Sequence, residues 1–224
     1  MRSKLLLTGT TIAILLGGVA CTTTDPYSSA PRRNNTGTGV IAGALGGALL
    51  GYLTNTSNSE EGRKNALIGA GIGALGGAAV GQYMDRQQRE LEAELSGSGV
   101  GVARQGDNLV LRMPSDVTFA SNQSTINPRF NATLDDVAGV LNRYDQSIVD
   151  IVGHADSDGA DDYNLNLSRQ RASSVAQYLV SRNVLADRLY VDGRGESAPI
   201  ASNATAEGKA QNRRVEILIR PFRG

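Results

Sequence analysis

The chain has 224 residues, of which 40% are hydrophobic but only 4% aromatic, and a formal net charge of +0. The length allows one or two domains with largely aliphatic cores. The balanced charge argues against binding of a nucleic-acid backbone, so we expect no nucleic-acid partner. The single cysteine, Cys21, excludes an intramolecular disulfide.

Residues 1–20 have the pattern of a secretory signal peptide. Arg2 and Lys4 form a short basic region, and Leu5–Leu16 is an apolar run too short to span a bilayer. The run ends in Gly-Val-Ala-Cys, which resembles the lipobox of bacterial lipoproteins, although Gly18 stands where Leu is usual. The resemblance implies that Cys21 is acylated and binds membrane lipid. An ordinary signal peptide followed by a chance cysteine is the alternative.

The segment that follows the cysteine, residues 21–36, predicts a flexible tether. It is polar and contains Pro26 and Pro31. Thr22, rather than Asp, follows the cysteine, and by resemblance to enterobacterial sorting this favours the outer membrane.

Residues 37–83 contain an internal glycine repeat. Its glycines fall four residues apart in two copies, at Gly39, Gly43, Gly47 and Gly51, and at Gly69, Gly73, Gly77 and Gly81. This spacing puts the glycines of each copy on one helical face, where a second backbone can approach closely. We therefore predict a helical hairpin that enters the membrane or forms homo-oligomers through its Gly faces. A weakly ordered Gly-rich spacer is the alternative.

Residues 84–99 predict a charged helical linker. Met84, Leu91 and Leu95 lie roughly on one side of this helix. The sequence Ser-Gly-Ser-Gly over 96–99 then indicates a domain boundary.

Residues 100–224 predict one domain, which begins with strands. Val100–Arg104 and Leu109–Met113 flank a polar turn, as in a β-hairpin, and Val117–Phe119 is a candidate strand. Asn127 and Pro128 are typical of the cap and the first position of a helix.

Strands and helices alternate in the rest of the domain. Strands are predicted over Ser147–Gly153, Leu189–Val191 and Val215–Ile219, a long helix over Ser168–Arg182 and a short one near 205–211. The order β-α-β-α-β-α-β predicts an α/β sandwich, in which a mixed sheet carries its helices on one side.

Two charged residues in this domain are candidates for a binding site. Asp156 follows a predicted strand in a Gly/Asp-rich loop, and Arg171 comes fifteen residues later. If Ser168 caps the predicted helix, Arg171 lies in its first turn, beside free amides and the positive end of the dipole. Such a pair suits a small zwitterion, because the carboxylate accepts from an ammonium and the guanidinium donates to a carboxylate. An ion pair between Asp156 and Arg171 is the alternative.

From about residue 117 to 221 the chain resembles the OmpA C-terminal domain family. The matching pieces are Phe119–Asn122, Ile126–Pro128, Gly153–Asp156, Tyr163–Asn164, Leu167–Ser168, Arg171–Ala172, Gly193–Gly195 and Asn212–Glu216. The resemblance implies non-covalent binding of peptidoglycan through the diaminopimelate residue of its stem peptide. It also places Asn122, Asn164 and Arg213 in the same site as Asp156 and Arg171.

The whole chain, lipobox and glycine repeat included, is similar to YiaD-type outer-membrane lipoproteins. That similarity implies a periplasmic domain which tethers the outer membrane to the cell wall. The alternative is a membrane-assembly or pore-like oligomer driven by the glycine hairpins, in which wall binding only positions the protein.

The sequence gives less support to a catalytic or a metal-binding role for the same region than to ligand binding. The only histidine, His154, has no Ser or Cys nucleophile motif beside it, and we expect it to be a packing residue. The acidic loop from Asp156 has Gly at position four and Leu167 at position twelve, which excludes the EF-hand pattern. We therefore expect no enzyme activity, no metal and no cofactor.

Overall fold

The computed structural model describes residues 60–120 and 123–223. The predicted signal peptide, Cys21, the tether and the first glycine copy lie outside the described residues.

In the described part of the chain a five-stranded mixed sheet forms the centre of the fold. The strands are β1 (Gly101–Gln105), β2 (Asn108–Pro114), β3 (Ser147–His154), β4 (Leu189–Gly193) and β5 (Arg214–Pro221). Their order across the sheet is β1-β2-β5-β3-β4. The β3–β4 pair is parallel and the other three pairs are antiparallel.

The helices confirm the predicted α/β class. They are α1 (Glu60–Gly69), α2 (Gly77–Glu94), α3 (Ser115–Thr118), α4 (Asn131–Arg143), α5 (Asp161–Ser181) and α6 (Ala206–Asn212), with 3-10 turns at Pro128–Phe130 and Ala186–Arg188. Apart from the one-turn helix α3, the order from β2 onward is β-α-β-α-β-α-β. Asn127 caps the turn before α4, since its side chain accepts a hydrogen bond from the amide of Arg129 at 3.1 Å.

The strand predicted over Val117–Phe119 is wrong, because this segment forms α3 instead. Thr118 Oγ1 donates to the carbonyl of Pro114 at 2.8 Å, and the amide of Phe119 donates to Ser115 at 2.9 Å. Thr118 and Phe119 are buried, while Val117 is exposed. Burial along 117–119 therefore does not alternate with the period of two that a half-buried strand requires.

Helix α2 is part of the domain core and is not the separate linker predicted over 84–99. Met84, Leu91 and Leu95 are buried in the same apolar cluster as the sheet and α4. Tyr83 fixes the start of the helix, since its hydroxyl accepts from the amide of Gln146 at 2.9 Å. The packed domain therefore already includes α2.

The second glycine copy does not form one helical face. Gly69 ends α1, Gly73 lies between helices, and Gly77 begins α2. Gly71 between them has φ +83°, a left-handed conformation that breaks the helix. Of the helices in 60–120 and 123–223, none is long and apolar enough to cross a membrane. The hairpin and homo-oligomer also involve the first copy and stay predictions.

We expect Gly81→Ala, inside α2, to stabilise the domain by about 1 kcal/mol. A β-carbon at this position meets nothing within 4 Å among the described residues, and Ala is favoured over Gly in a helix interior by about that amount. The midpoint of urea unfolding should rise. A fall would show that another backbone packs against Gly81.

Helix α1 lies on the face of the sheet opposite to α5. Side chains alternate along β3, so that Ile148 and Asp150 face away from the helices that cover Val149 and Ile151. Arg63 of α1 pairs with Asp150 at 2.6 Å. A small second core lies beside this pair, formed by Leu67, Ile148 and Phe222. Helices therefore contact both faces, and the prediction of helices on one side holds only from α2 onward.

The chain between α1 and α2 is fixed at one end of the sheet. Gln146, directly before β3, donates from Nε2 to the carbonyl of Gly73 at 2.8 Å. The amide of Leu75 donates to the carbonyl of Phe222, directly after β5, at 2.8 Å. Together with α1 these contacts attach residues 60–75, here called the strap, to the domain.

The other end of the sheet is shaped by two glycines at which α5 approaches closely. A β-carbon on Gly153 would lie 1.9 Å from the carbonyl oxygen of Ser168, and one on Gly193 would lie 2.6 Å from the amide nitrogen of Arg169. Only glycine permits this contact of helix backbone with strand backbone. It sets the position of α5 against the loop that follows β3.

Candidate functional site

A cleft of about 470 Å³ opens beyond the carboxyl end of β3. Three carboxylates and two guanidiniums dominate its wall, those of Asp116, Asp156, Asp158, Arg171 and Arg213. The remaining lining residues are Ser115, Phe119, Ala120, Ala155, Tyr163, Asn164 and Leu167. The cleft therefore joins the α3 segment, the loop after β3, the first half of α5 and the start of β5.

Asp156 is held in its loop by backbone and amide contacts. Its side chain is buried, with the residue 6% exposed, and Oδ1 accepts from the amide of Asp158 at 3.1 Å. Asn164 donates from Nδ2 to the carbonyls of Asp156 and Asp158, both at 3.1 Å, and to Glu196 at 3.0 Å. Asn164 lines the cleft as predicted, and these contacts give it the role of a positioning residue for the loop.

Arg213 connects the two carboxylates. Its Nη1 donates to Asp156 Oδ2 at 2.7 Å, and its Nε and Nη2 donate to the two oxygens of Asp116 at 3.1 and 2.8 Å. These hydrogen bonds hold the pKa of Asp116 below its usual value and raise the pKa of Arg213. Each carboxylate oxygen keeps a further lone pair, so Asp156 can still accept from a ligand.

Arg171 crosses the cleft wall from α5 and is only 5% exposed. Its Nε donates to the carbonyl of Gln123 at 3.0 Å, and its guanidinium lies 5.4 Å from the centre of the Phe119 ring. Burial lowers its pKa, and the charge of Asp116 opposes that shift. Within 60–120 and 123–223 its two Nη groups have no hydrogen-bond acceptor. The alternative, an ion pair between Asp156 and Arg171, is wrong, because Asp156 pairs with Arg213 instead.

The predicted start of the helix that carries Arg171 is wrong. Helix α5 begins at Asp161, seven residues before Ser168, so Arg171 lies in its third turn. Free amides and the positive end of the dipole are therefore not beside it. Ser168 instead accepts from the amide of Gly195 at 3.0 Å. Tyr163 and Leu165 in the first two turns are exposed, so apolar residues there do not follow the helical spacing that marks a buried face.

The structure brings Asp156, Asn164, Arg171 and Arg213 to one cleft, while Asn122 lies outside the described residues. Sequence analysis missed Asp116, which forms a two-point ion pair with Arg213. The sequence did contain one indication of this residue, an acidic side chain three positions before Phe119, where the family-like motif begins. Among the described residues no group of three or more His, Cys, Asp or Glu side chains could hold a metal ion.

His154 lies next to the cleft loop but is buried between charged residues of the sheet. Burial, together with the nearby Arg214, lowers its pKa to about 4. In the described part of the chain neither ring nitrogen has a hydrogen-bond partner. The expected packing role is consistent with this environment, which favours the neutral ring.

We expect His154 to make the domain less stable in acid. The unfolded chain takes up a proton near pH 6.5, whereas the folded ring does so only near pH 4. Stability contributed by the neutral ring is therefore present above pH 6.5 and is lost as the pH falls towards 4, by at most about 3 kcal/mol. Urea unfolding of wild type and His154→Leu between pH 7 and 4 measures this. Parallel stability curves would contradict it.

Family models match both parts of the chain. A model described as "OmpA family" matches residues 118–213, and one described as "YMGG-like Gly-zipper" matches residues 1–85. Residues 86–117 lie between the two matches and contain the second half of α2 and the β1–β2 hairpin.

Three known proteins show how far the similarity extends. The peptidoglycan-binding protein ArfA of Mycobacterium tuberculosis is 42% identical over 103 residues, which are 46% of this chain and 32% of ArfA. The solved structure of the cell wall anchor of the T6SS from Pseudomonas aeruginosa has a TM-score of 0.56 and 32% identity, and covers 62% of this chain and 99% of that one. The probable lipoprotein YiaD of Escherichia coli (strain K12) is 43% identical over 222 residues, 99% of this chain and 100% of YiaD. Because that similarity extends over nearly the whole of both proteins, this chain belongs to the YiaD family and joins a YMGG-like Gly-zipper segment to an OmpA family domain.

Proposed function

We propose that this chain binds peptidoglycan non-covalently and that its cleft recognises the diaminopimelate residue of the stem peptide. The observation that carries the proposal is the buried guanidinium of Arg171. It faces a cleft whose other charged groups are already paired, and its two Nη groups have no acceptor among the described residues. Because these Nη groups open to the cleft, they are free to donate charge-assisted hydrogen bonds to a carboxylate ligand.

The charges of the cleft match the free end of diaminopimelate, which has one ammonium and one carboxylate. The carboxylate of Asp158 pairs with Lys209 at 2.6 Å. The carboxylates of Asp116 and Asp156 then balance the guanidiniums of Arg171 and Arg213, so a ligand without net charge fits the site. Arg171 is planar and can donate two parallel hydrogen bonds to the ligand carboxylate. Asp156 accepts from the ammonium through its remaining lone pairs.

The printed names of two relatives support the wall as partner. ArfA is named a peptidoglycan-binding protein, and the structurally similar Pseudomonas domain is a cell wall anchor. The OmpA family match of this chain, residues 118–213, contains most of the residues that line the cleft.

We further propose that the protein tethers the outer membrane to the wall. Acylated Cys21 would hold one end in the membrane, and the cleft would hold the wall from the periplasm. More than one acyl chain is needed for stable anchoring, which a bacterial lipoprotein cysteine provides. The function is mechanical attachment rather than catalysis.

The test is competition for binding to purified sacculi. The full-length protein should sediment with sacculi, and free meso-diaminopimelate should release it. Nα-acetyl-lysine amide is the matched control, because it keeps the side-chain ammonium and has no free carboxylate. It should release little protein at the same concentration. Equal release by this control would remove Arg171 from the recognition, and no sedimentation at all would contradict wall binding.

A further inference from the structure

A second groove, of about 340 Å³, lies directly beside the cleft. It shares Tyr163 and Leu167 with the cleft, so the two spaces have a common wall. The rest of its lining comes from residues 123–125 and from Asn166 and Gln170 of α5. A ligand that fills the cleft can therefore continue into this groove.

The groove differs from the cleft in having no charged side chain in its lining. Amide and hydroxyl groups line it instead, and each of them can both donate and accept hydrogen bonds. Among the described residues the side chains of Thr125, Asn166 and Gln170 make no hydrogen bond with protein. The Tyr163 ring is 52% exposed at the boundary. This combination of a free aromatic ring and neutral polar groups fits a neutral ligand with hydroxyl and acetamido groups.

We propose that this groove binds an N-acetylated sugar of the glycan strand to which the stem peptide is attached. The inference rests on the proposed function, since the peptide in the cleft brings its covalently linked sugar close by. The apolar face of the sugar ring would pack on Tyr163. Its hydroxyl and acetamido groups would bond to Asn166 and Gln170. The unit recognised is then a muropeptide and not the peptide alone.

Two soluble wall fragments test this with the full-length protein, by isothermal titration calorimetry. One is the stem peptide containing diaminopimelate, and the other is the same peptide linked to its disaccharide. We expect the disaccharide fragment to bind the wild type about tenfold more tightly, since a neutral hydrogen bond contributes a few-fold and two or more are added.

The double variant Asn166→Ala with Gln170→Ala should remove this difference without changing the affinity for the peptide. Both residues line only the groove. Gln177→Ala, two turns further along α5 and outside both linings, is the matched control and should behave as the wild type.

The possible outcomes separate the two proposals. If the wild type binds both fragments equally, or if the double variant keeps the preference for the disaccharide, the sugar site is wrong while wall binding stands. If neither fragment binds, the proposed function itself fails.

Discussion

Arg171→Ala is expected to abolish sedimentation of the protein with sacculi while the domain stays folded. The variant removes the guanidinium that faces the cleft and leaves the carboxylates of Asp116 and Asp156 paired with Arg213. A charge-assisted, two-point contact with a carboxylate is lost, and no neighbouring residue can replace it. Since a hydrogen bond to a charged group contributes about 1.5–3 kcal/mol, loss of two should weaken binding at least a hundredfold.

The control for this variant is Arg169→Ala, two residues earlier on the same helix. The Arg169 side chain is exposed and does not line the cleft, so the variant removes the same charge without touching the site. Circular dichroism and the unfolding midpoint verify that both variants are folded. Asp156→Ala should also lose binding, because it removes the acceptor for the ligand ammonium. Undiminished binding by both Arg171→Ala and Asp156→Ala would overturn the site.

Arg188→Met is expected to destabilise the domain by about 3–5 kcal/mol, because three buried carbonyls lose their donor at about 1–3 kcal/mol each. Arg188 is 1% exposed and lies in the 3-10 turn before β4. Burial lowers its pKa to about 10, so it stays charged at neutral pH. Its donors satisfy the carbonyls of Leu141, Tyr144 and Ser147 at 2.7–2.8 Å. Met fills much of the volume but leaves these buried carbonyls without a donor.

Urea unfolding at neutral pH measures this loss, with Arg182→Met as the matched control. Arg182 is exposed and pairs with Asp135 on the surface. Exposed ion pairs contribute about 1 kcal/mol or less, so the control should change little. Similar losses in the two variants would show that the hydrogen bonds of Arg188 do not hold the end of α4 to the sheet.

The fold could be predicted where apolar residues follow a regular period. Strand β5 alternates over most of its length, β3 has an apolar Ile-Val pair on each side of Asp150, and α4 has its apolar face at helical spacing, so both kinds of element were identified. The start of α5 could not be predicted, because its first two turns cover the cleft and expose Tyr163 and Leu165. The strap could not be predicted either, since its contacts join residues at least 73 positions apart, such as Arg63 with Asp150, which are 87 apart.

The candidate site was predicted in part. The charge of Asp156 and Arg171 suggested a zwitterion, and family resemblance added Asn164 and Arg213. The pairing of Arg213 with Asp116 was missed, because it joins residues 97 positions apart. The acidic residue before Phe119 was visible in the sequence, but nothing local indicates its partner. Ion pairs of this kind follow from the antiparallel pairing of β2 with β5, which places Pro114 opposite Arg214.

The positions of the strap and the cleft have a mechanical consequence. The strap is fixed at Gln146 and Phe222, before β3 and after β5, whereas Asp156 and Arg213 lie after β3 and before β5. In the tether proposed above, a pull between membrane and wall would therefore run lengthwise along these two central strands. Both strands would be loaded at both ends, so the force would follow their covalent backbones and would not open the β3–β5 ladder, from Ser147–Pro221 to His154–Arg214, one hydrogen bond at a time.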